Sequence, residues 1–322
     1  MARRSIFYWR ATSSRTLIYG LVRRSEGATV TAQENRASLW ATLPVSLRAI
    51  IAGIVIALVP ANVWPLLLLS VGVPVAASVE VFFLALYIWW ASGGGPPPGT
   101  RAARGRAFRS ARLLAAQCFW GVIGALFFAA TIHAAIVLLF RFMPFPAAAF
   151  RRGYDLSFIP TLPMRWMAVV VSAASAGICE EIGFRGYMQQ PIEQCHGARI
   201  AILVSSFFFT LLHLTKAWAM IGMVPIVFGA GVLLGLLAWS SGSLIPSMIG
   251  HVVMDIGLFA YWWTGIAGNV TARPITETGV DQPFLITCAV LAVTLIIVLL
   301  AVWRLRRTNH SSYPPAISNE SL

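Results

Sequence analysis

Apolar runs of about 20 residues recur from residue 47 to residue 303 and constrain this chain more than any other feature it has. Hydrocarbon offers no water to peptide groups, so a run of that length in a bilayer closes its hydrogen bonds on itself as a helix. The runs are continuous rather than alternating, which argues against a β-barrel. Composition agrees: of 322 residues 58% are hydrophobic and 11% charged, with a mean hydropathy of +0.77, too apolar for a soluble domain of this length. The reading is an all-α, polytopic membrane protein with about eight transmembrane helices, near 47–62, 64–91, 112–141, 163–188, 198–217, 221–240, 243–263 and 283–303. Pro60 and Pro65 divide the first two.

The net charge of +13 is almost all arginine. Arg3, Arg4, Arg10, Arg15, Arg23, Arg24, Arg36 and Arg48 precede the first span, Arg101, Arg104, Arg106, Arg109 and Arg112 lie between the second and third, and Arg304, Arg306 and Arg307 follow the last. Eight crossings put all three groups on one side, which the positive-inside rule makes cytoplasmic. A multi-pass cell-membrane protein with both termini in the cytoplasm is expected. Arg141, Arg151, Arg152 and Arg165, after the third span, run against the rule. The charge flanks apolar helices instead of forming a patch on a soluble fold, so membrane lipid is an expected partner and nucleic acid is not.

The expected organisation is a basic cytoplasmic tail over 1–46 without a signal-peptide pattern, a transmembrane domain over 47–304, and a polar tail over 305–322. A Gly/Pro/Arg linker occupies 92–111, its Ser92 to Gly99 stretch (SGGGPPPG) reading as structureless. Cys118, Cys179, Cys195 and Cys288 lack C-x-x-C spacing and suggest neither a disulfide framework nor a zinc cluster. Asn269-Val270-Thr271 fits a glycosylation sequon, a pattern short enough to recur by chance.

Ionisable groups inside spans cost roughly 2.5–3.5 kcal/mol each on insertion scales, so they mark function or partnership. Three spans carry them: Glu180, Glu181 and Arg185 as E-E-x-x-x-R, Phe209 and His213 as F-x-x-x-H, and His251 and Asp255 as H-x-x-x-D. The four-residue spacing puts Glu181 and Arg185 on one helix face, where they neutralise each other as structural support. Glu180 points about 100° away and stays available as a base. A reversal in the polar stretch from Gln189 to Gly197 brings Glu180 and His213 to one height, since the midpoint of 180 and 213 falls between 196 and 197. Counting from Ser243, His251 lies roughly 12 Å deep and Asp255 roughly 18 Å, at 1.5 Å per residue. Two histidines and one or two carboxylates around a wet intramembrane cavity suit peptide hydrolysis, the carboxylate taking a proton from water and imidazole orienting that water or stabilising the oxyanion. The soluble zinc-peptidase motif H-E-x-x-H and the serine elbow G-x-S-x-G are both absent.

Glu180-Glu181-Ile182-Gly183-Phe184-Arg185, then Phe209 to His213, then His251 to Asp255 resemble the three motifs of the CPBP family, the CAAX proteases and bacteriocin-processing enzymes also called Abi, over a core of about 163–263. The resemblance implies an eight-helix intramembrane endopeptidase in which Glu180 and His213 activate water and His251 and Asp255 surround the oxyanion. Its substrate would be a peptide or small membrane-associated protein. Family members are often labelled metalloproteases, and the cofactor stays open: none, in a glutamate mechanism, or a divalent metal such as zinc on Glu180, His213 and His251. Many prenyl-protein proteases of the family carry asparagine where this chain has Asp255. An ionised aspartate cannot donate to an oxyanion, so Asp255 is expected to orient His251, which alone donates.

The same motifs are compatible with a non-catalytic immunity or partner-binding protein of the family, and the carboxylates and histidines with a proton-coupled transporter; the lack of visible internal repeats weighs against the latter. His133 and Glu80, lone polar residues of other spans, read as structural. Gly231-x-x-x-Gly235 reads as close helix packing beside the site.

Overall fold

The computed structural model describes residues 39–109, 112–151, 154–217, 221–268 and 273–310. The arginines from Arg3 to Arg36, Arg152, the Asn269 sequon and the tail beyond residue 310 lie outside the described residues. The chain divides into Met1–Pro44, where the described residues form one short helix, Leu39–Thr42, and Val45–Leu322, which holds the bundle. No strand occurs among the described residues.

Helices α1 (Val45–Ala61) and α2 (Val63–Ser70) together make the first crossing, and α3 (Val73–Ala91) returns after a turn at Val71 and Gly72. The reversal therefore lies beyond Pro65, not between Pro60 and Pro65 as expected. Proline inside a helix removes one donor, and the carbonyl left over here is that of Ile56, four residues before Pro60. The Tyr87 hydroxyl donates to that carbonyl at 2.7 Å, so the break is repaired by the neighbouring helix and α1 runs on.

The linker after α3 is ordered where composition suggested none. A 3₁₀ turn (Pro98–Thr100) leads into α4 (Arg101–Ala107), and Arg104 is buried beneath the loop. Its guanidinium donates to the carbonyls of Trp90, Gly94 (2.6 Å) and Gly95 (2.9 Å) and lies over the Trp90 ring. One side chain thus satisfies a set of backbone acceptors that glycine and proline could not pair among themselves.

Helix α5 (Ala115–Phe142) runs through the centre of the main hydrophobic core, where Phe128, Ile136 and Phe140 are fully buried. Next come α6 (Leu162–Glu181), a π-helical segment (Ile182–Met188) and α7 (Gln189–Ala217). Although Leu162–Leu214 is continuous in helical character, Gly197 sits at φ 80°, ψ 163° and folds it back on itself. The left-handed φ admits glycine and strains other residues. Phe184 and Phe209 then meet edge to face at 5.4 Å, and Ser205 Oγ donates to the Phe184 carbonyl at 3.0 Å. The segment therefore crosses twice, and the described helices long and apolar enough to span make eight crossings.

Helix α8 (Met223–Ser241) ends on left-handed Gly242, α9 (Ile245–Gly257) continues into a second π-helical segment (Leu258–Trp263), and α10 (Gln282–His310) closes the bundle. It stays helical past residue 304, where a tail was expected, and Leu305 is buried. Antiparallel packing of α5 and α10 is visible at both ends: Arg304 lies over Trp120 at one, and Arg141 pairs with Asp281 at 2.8 Å at the other. Two arginines that oppose the positive-inside rule are thereby occupied, Arg141 by Asp281 and Arg165 by the Ile159 carbonyl at 2.8 Å. Leu66, Leu69, Phe82 and Ile296 face outward, as lipid-facing side chains of a multi-pass membrane protein should.

Candidate active site

A close approach of α6 and α9 sets the geometry. A Cβ at Gly177 would stand 2.7 Å from Val252 Cγ2 and 3.0 Å from the Val252 nitrogen, so only a hydrogen fits between these helices. One turn further along, His251 Nδ1 reaches Glu181 Oε1 at 2.9 Å. The same oxygen lies 3.1 Å from Arg185 NH1, and all three side chains are almost wholly buried. Glu181 and Arg185 neutralise each other across one helical turn, as their spacing suggests.

Arg185 is anchored on two further sides. Its NH2 donates to the Gly231 carbonyl at 3.2 Å, and its guanidinium lies 4.5 Å from the centre of the Phe209 ring. One turn on, Gln189 Nε2 donates to the Gly235 carbonyl at 3.1 Å. The Gly231-x-x-x-Gly235 stripe thus acts through packing and exposed carbonyls, beside the site. Phe209 is the common wall of the cluster, its ring 4.5 Å from that of His213 and 5.7 Å from that of His251.

Glu180, His213, His251 and Asp255 converge. Glu180 Oε2 is 3.8 Å from His213 Nε2 and 3.9 Å from His251 Nε2, and Asp255 Oδ2 is 3.6 Å from His251 Nε2. His213 Nδ1 is 2.7 Å from the Phe209 carbonyl, so Nδ1 carries the proton that it donates there and Nε2 turns toward Glu180. Glu180 Oε2 is buried with no hydrogen-bond partner in the protein. It borders a cavity of about 90 Å³ that Ile132, Ile136, Met223, Ile226, Leu258 and Phe259 line with apolar surface and His213, His251 and Asp255 with polar groups.

The orienting bond to His251 comes from Glu181 and not, as expected, from Asp255. The reason is helix geometry. Asp255, one turn along α9, reaches the Nε2 side of the ring, whereas Glu181 approaches Nδ1 from across the helix interface. Sequence spacing within one helix could not reveal this interhelical bond. The two π-helical segments were also missed; each begins within three residues of a motif carboxylate, Glu181 or Asp255. Such insertions are common beside functional groups, where they re-aim side chains. His133 is satisfied on both ring nitrogens, Nε2 donating to the Met254 carbonyl at 3.2 Å and Nδ1 accepting from Trp262 Nε1 at 3.3 Å. It is a core histidine outside the cluster.

Three zinc ligands stand about 2.1 Å from the ion and hence about 3.4 Å from one another. The separations of 3.8 and 3.9 Å from Glu180 exceed that, and among the described residues no three His, Cys, Asp and Glu side chains are grouped so as to hold a metal. Glu180, His213 and His251 as placed do not fit a zinc ion.

Residues 161–257 match a family model described as type II CAAX prenyl endopeptidase Rce1-like. All seven motif residues fall inside that segment, and the resemblance to the CPBP family holds across it. No curated protein and no solved structure matches the chain. At the level of the family, the matched segment is similar to that of CAAX-type membrane proteases.

Proposed function

We propose that this protein is an intramembrane endopeptidase that hydrolyses a peptide bond with water activated by Glu180, without a metal. The observation that carries the reading is the placement of Glu180 Oε2, buried, unpaired and within 4 Å of two imidazole Nε2 atoms at the edge of a cavity. Gaps of 3.8 and 3.9 Å are too long for direct hydrogen bonds and call for a bridging water.

In the proposed step, Glu180 takes a proton from that water while His213 Nε2 accepts its second hydrogen bond and fixes its orientation. The new C–O bond forms as the peptide carbonyl becomes an oxyanion. His251, when protonated at both nitrogens, donates from Nε2 to the oxyanion while Nδ1–H holds Glu181. Collapse breaks the C–N bond, and the proton on Glu180 passes to the leaving amine. Asp255, beside Nε2, balances the imidazolium charge. Glu181, Arg185 and Phe209 hold this arrangement without touching the substrate.

Apolar walls around a small polar end suit a peptide whose residues beside the scissile bond are apolar or lipid-modified, on a substrate held at the membrane. The arginine-rich ends support a cell-membrane location with both termini cytoplasmic. New peptide termini in membranes carrying wild type, compared with Glu180→Gln at matched abundance, test the reading. A terminus found only with wild type supports proteolysis. A phenotype that survives in Glu180→Gln with no differing terminus favours a binding or immunity protein instead.

A further inference from the structure

The cavity beside Glu180 is too small for a peptide substrate. About 90 Å³ holds a few waters or one side chain, whereas sites that enclose a small ligand run from about 300 to 1,000 Å³. Ile132 and Ile136 lie in the second half of α5, Met223 opens α8, and Trp263 ends the π-helical segment after α9, so the cavity extends toward the end of the bundle where these meet. In the opposite direction Phe184, Arg185, Met188 and Gln189 are almost wholly buried, and the packing is closed.

A second cavity, of about 470 Å³, adjoins the first. It is bordered by Ala148 and Arg151 of the short helix Ala147–Arg151, by Tyr154 and Asp155 beyond it, and by Trp263 and Thr264. Two charged side chains and two hydroxyl groups make it polar where the first is mostly apolar. Trp263 belongs to both. The Tyr154 ring packs on it at 4.7 Å and on Phe259, another wall of the first cavity, at 5.8 Å, so three aromatic rings partition one space from the other. The surroundings of this partition are held in place. Asp155 accepts from the Ser157 backbone N–H and hydroxyl at 2.8 Å each, and the Thr264 hydroxyl donates to the Phe259 carbonyl at 2.7 Å. Arg151 lies close over the left-handed turn at Gly265, where a Cβ would stand 2.9 Å from its Nη2.

We propose that the outer cavity is the subsite for a hydrophilic segment of the peptide substrate, and that Trp263, with Tyr154 and Phe259, limits the size of the residue at the junction with the Glu180 cavity. The substrate class is then a membrane-held peptide that changes from apolar to polar beside the scissile bond. Its apolar part matches the inner walls, and its polar part matches Arg151, Tyr154, Asp155 and Thr264. A wholly apolar segment would displace water from these groups without replacing its hydrogen bonds. The inference rests on the proteolytic reading given above.

The test measures kcat and KM in bilayers for two internally quenched prenyl-cysteine peptides alike beside the scissile bond, one with a Ser/Gln-rich flank and one with a Leu/Ala-rich flank. Wild type should favour the polar flank by about tenfold in KM with kcat similar, the mark of binding shared by ground and transition states. Ala148→Trp, which fills the outer cavity, should erase that preference. If it fails to accumulate, Ala148→Cys capped with a bulky maleimide after folding should do the same, with the parent protein treated alike as the control for Cys118, Cys179, Cys195 and Cys288. Trp263→Ala should raise kcat/KM for a peptide with tryptophan beside the scissile bond by about tenfold relative to one with alanine there. Equal KM values in wild type, a preference that persists with the outer cavity filled (as a lipid headgroup seated there would allow), or unchanged size selection in Trp263→Ala overturns the inference. The proteolytic reading fails differently, when wild type cleaves neither peptide or Glu180→Gln cleaves both.

Discussion

His251 and Glu181 are joined across the α6–α9 interface, Nδ1 to Oε1 at 2.9 Å, with both side chains buried. This bond sets which nitrogen of His251 faces Glu180, and it makes Glu181 the orienting carboxylate of the site. Glu181→Gln should therefore lower kcat by about 10²-fold or more, through loss of the tautomer and of charge support for the imidazolium. Asp255→Asn should cost much less. The two variants are compared by initial rates at matched protein abundance, and a larger loss in Asp255→Asn would reverse the assignment.

Removing one partner of the buried Glu181–Arg185 pair leaves the other charge stranded. Glu181→Ala should destabilise the protein by about 3–5 kcal/mol, and replacing both residues with apolar ones of similar volume should recover much of that. Thermal unfolding in detergent reads both, and equal loss in single and double variants would contradict the account.

Gly177→Ala tests the interface itself. The added methyl meets Val252 at 2.7 and 3.0 Å, backbone included, so α6 and α9 must separate. A cost of about 1–3 kcal/mol is expected, with activity falling further than stability because the 2.9 Å bond from His251 to Glu181 lengthens.

Much of this geometry was legible in the chain. The i,i+4 pairing of Glu181 with Arg185 and the common height of Glu180 and His213 follow from helix periodicity and a reversal near 197, and Gly197 supplies it. What could not be read depends on partners distant in sequence. Pro60 looked like a chain break because the Tyr87 hydroxyl that satisfies the Ile56 carbonyl is a helix away. The linker looked structureless because nothing local says that Arg104 would fold under it. The spacing of His251 and Asp255 within one helix suggested Asp255 as the orienting carboxylate, whereas the bond from Glu181 to Nδ1 comes from an interhelical approach that spacing does not show.

At the membrane surface, Arg141 and the Phe284 backbone N–H hold the Asp281 carboxyl below the usual carboxylate range. A lowered folded value stabilises the protein above the unfolded value of about 4 and is lost as pH falls through the folded value. Asp281→Asn should therefore be less stable than wild type at neutral pH, and the two melting temperatures should converge below about pH 4. The exposed position keeps the difference small. A gap that widens on acidification would contradict the pairing.

Because the donor spacing does not suit zinc, 1,10-phenanthroline and EDTA should leave cleavage unchanged after long incubation, and added zinc should not raise it. Loss of activity with chelator, restored by one metal, would require the three side chains to close on an ion.

The central claim is that Glu180 activates the water that cuts the peptide. Cleavage of a membrane-held peptide substrate by the purified protein in water enriched in heavy oxygen tests it most directly. Wild type should place one heavy oxygen atom in the new C-terminal carboxylate, with Glu180→Gln slower by about 10³-fold or more. Cleavage by Glu180→Gln at the wild-type rate, with the same label, would contradict it.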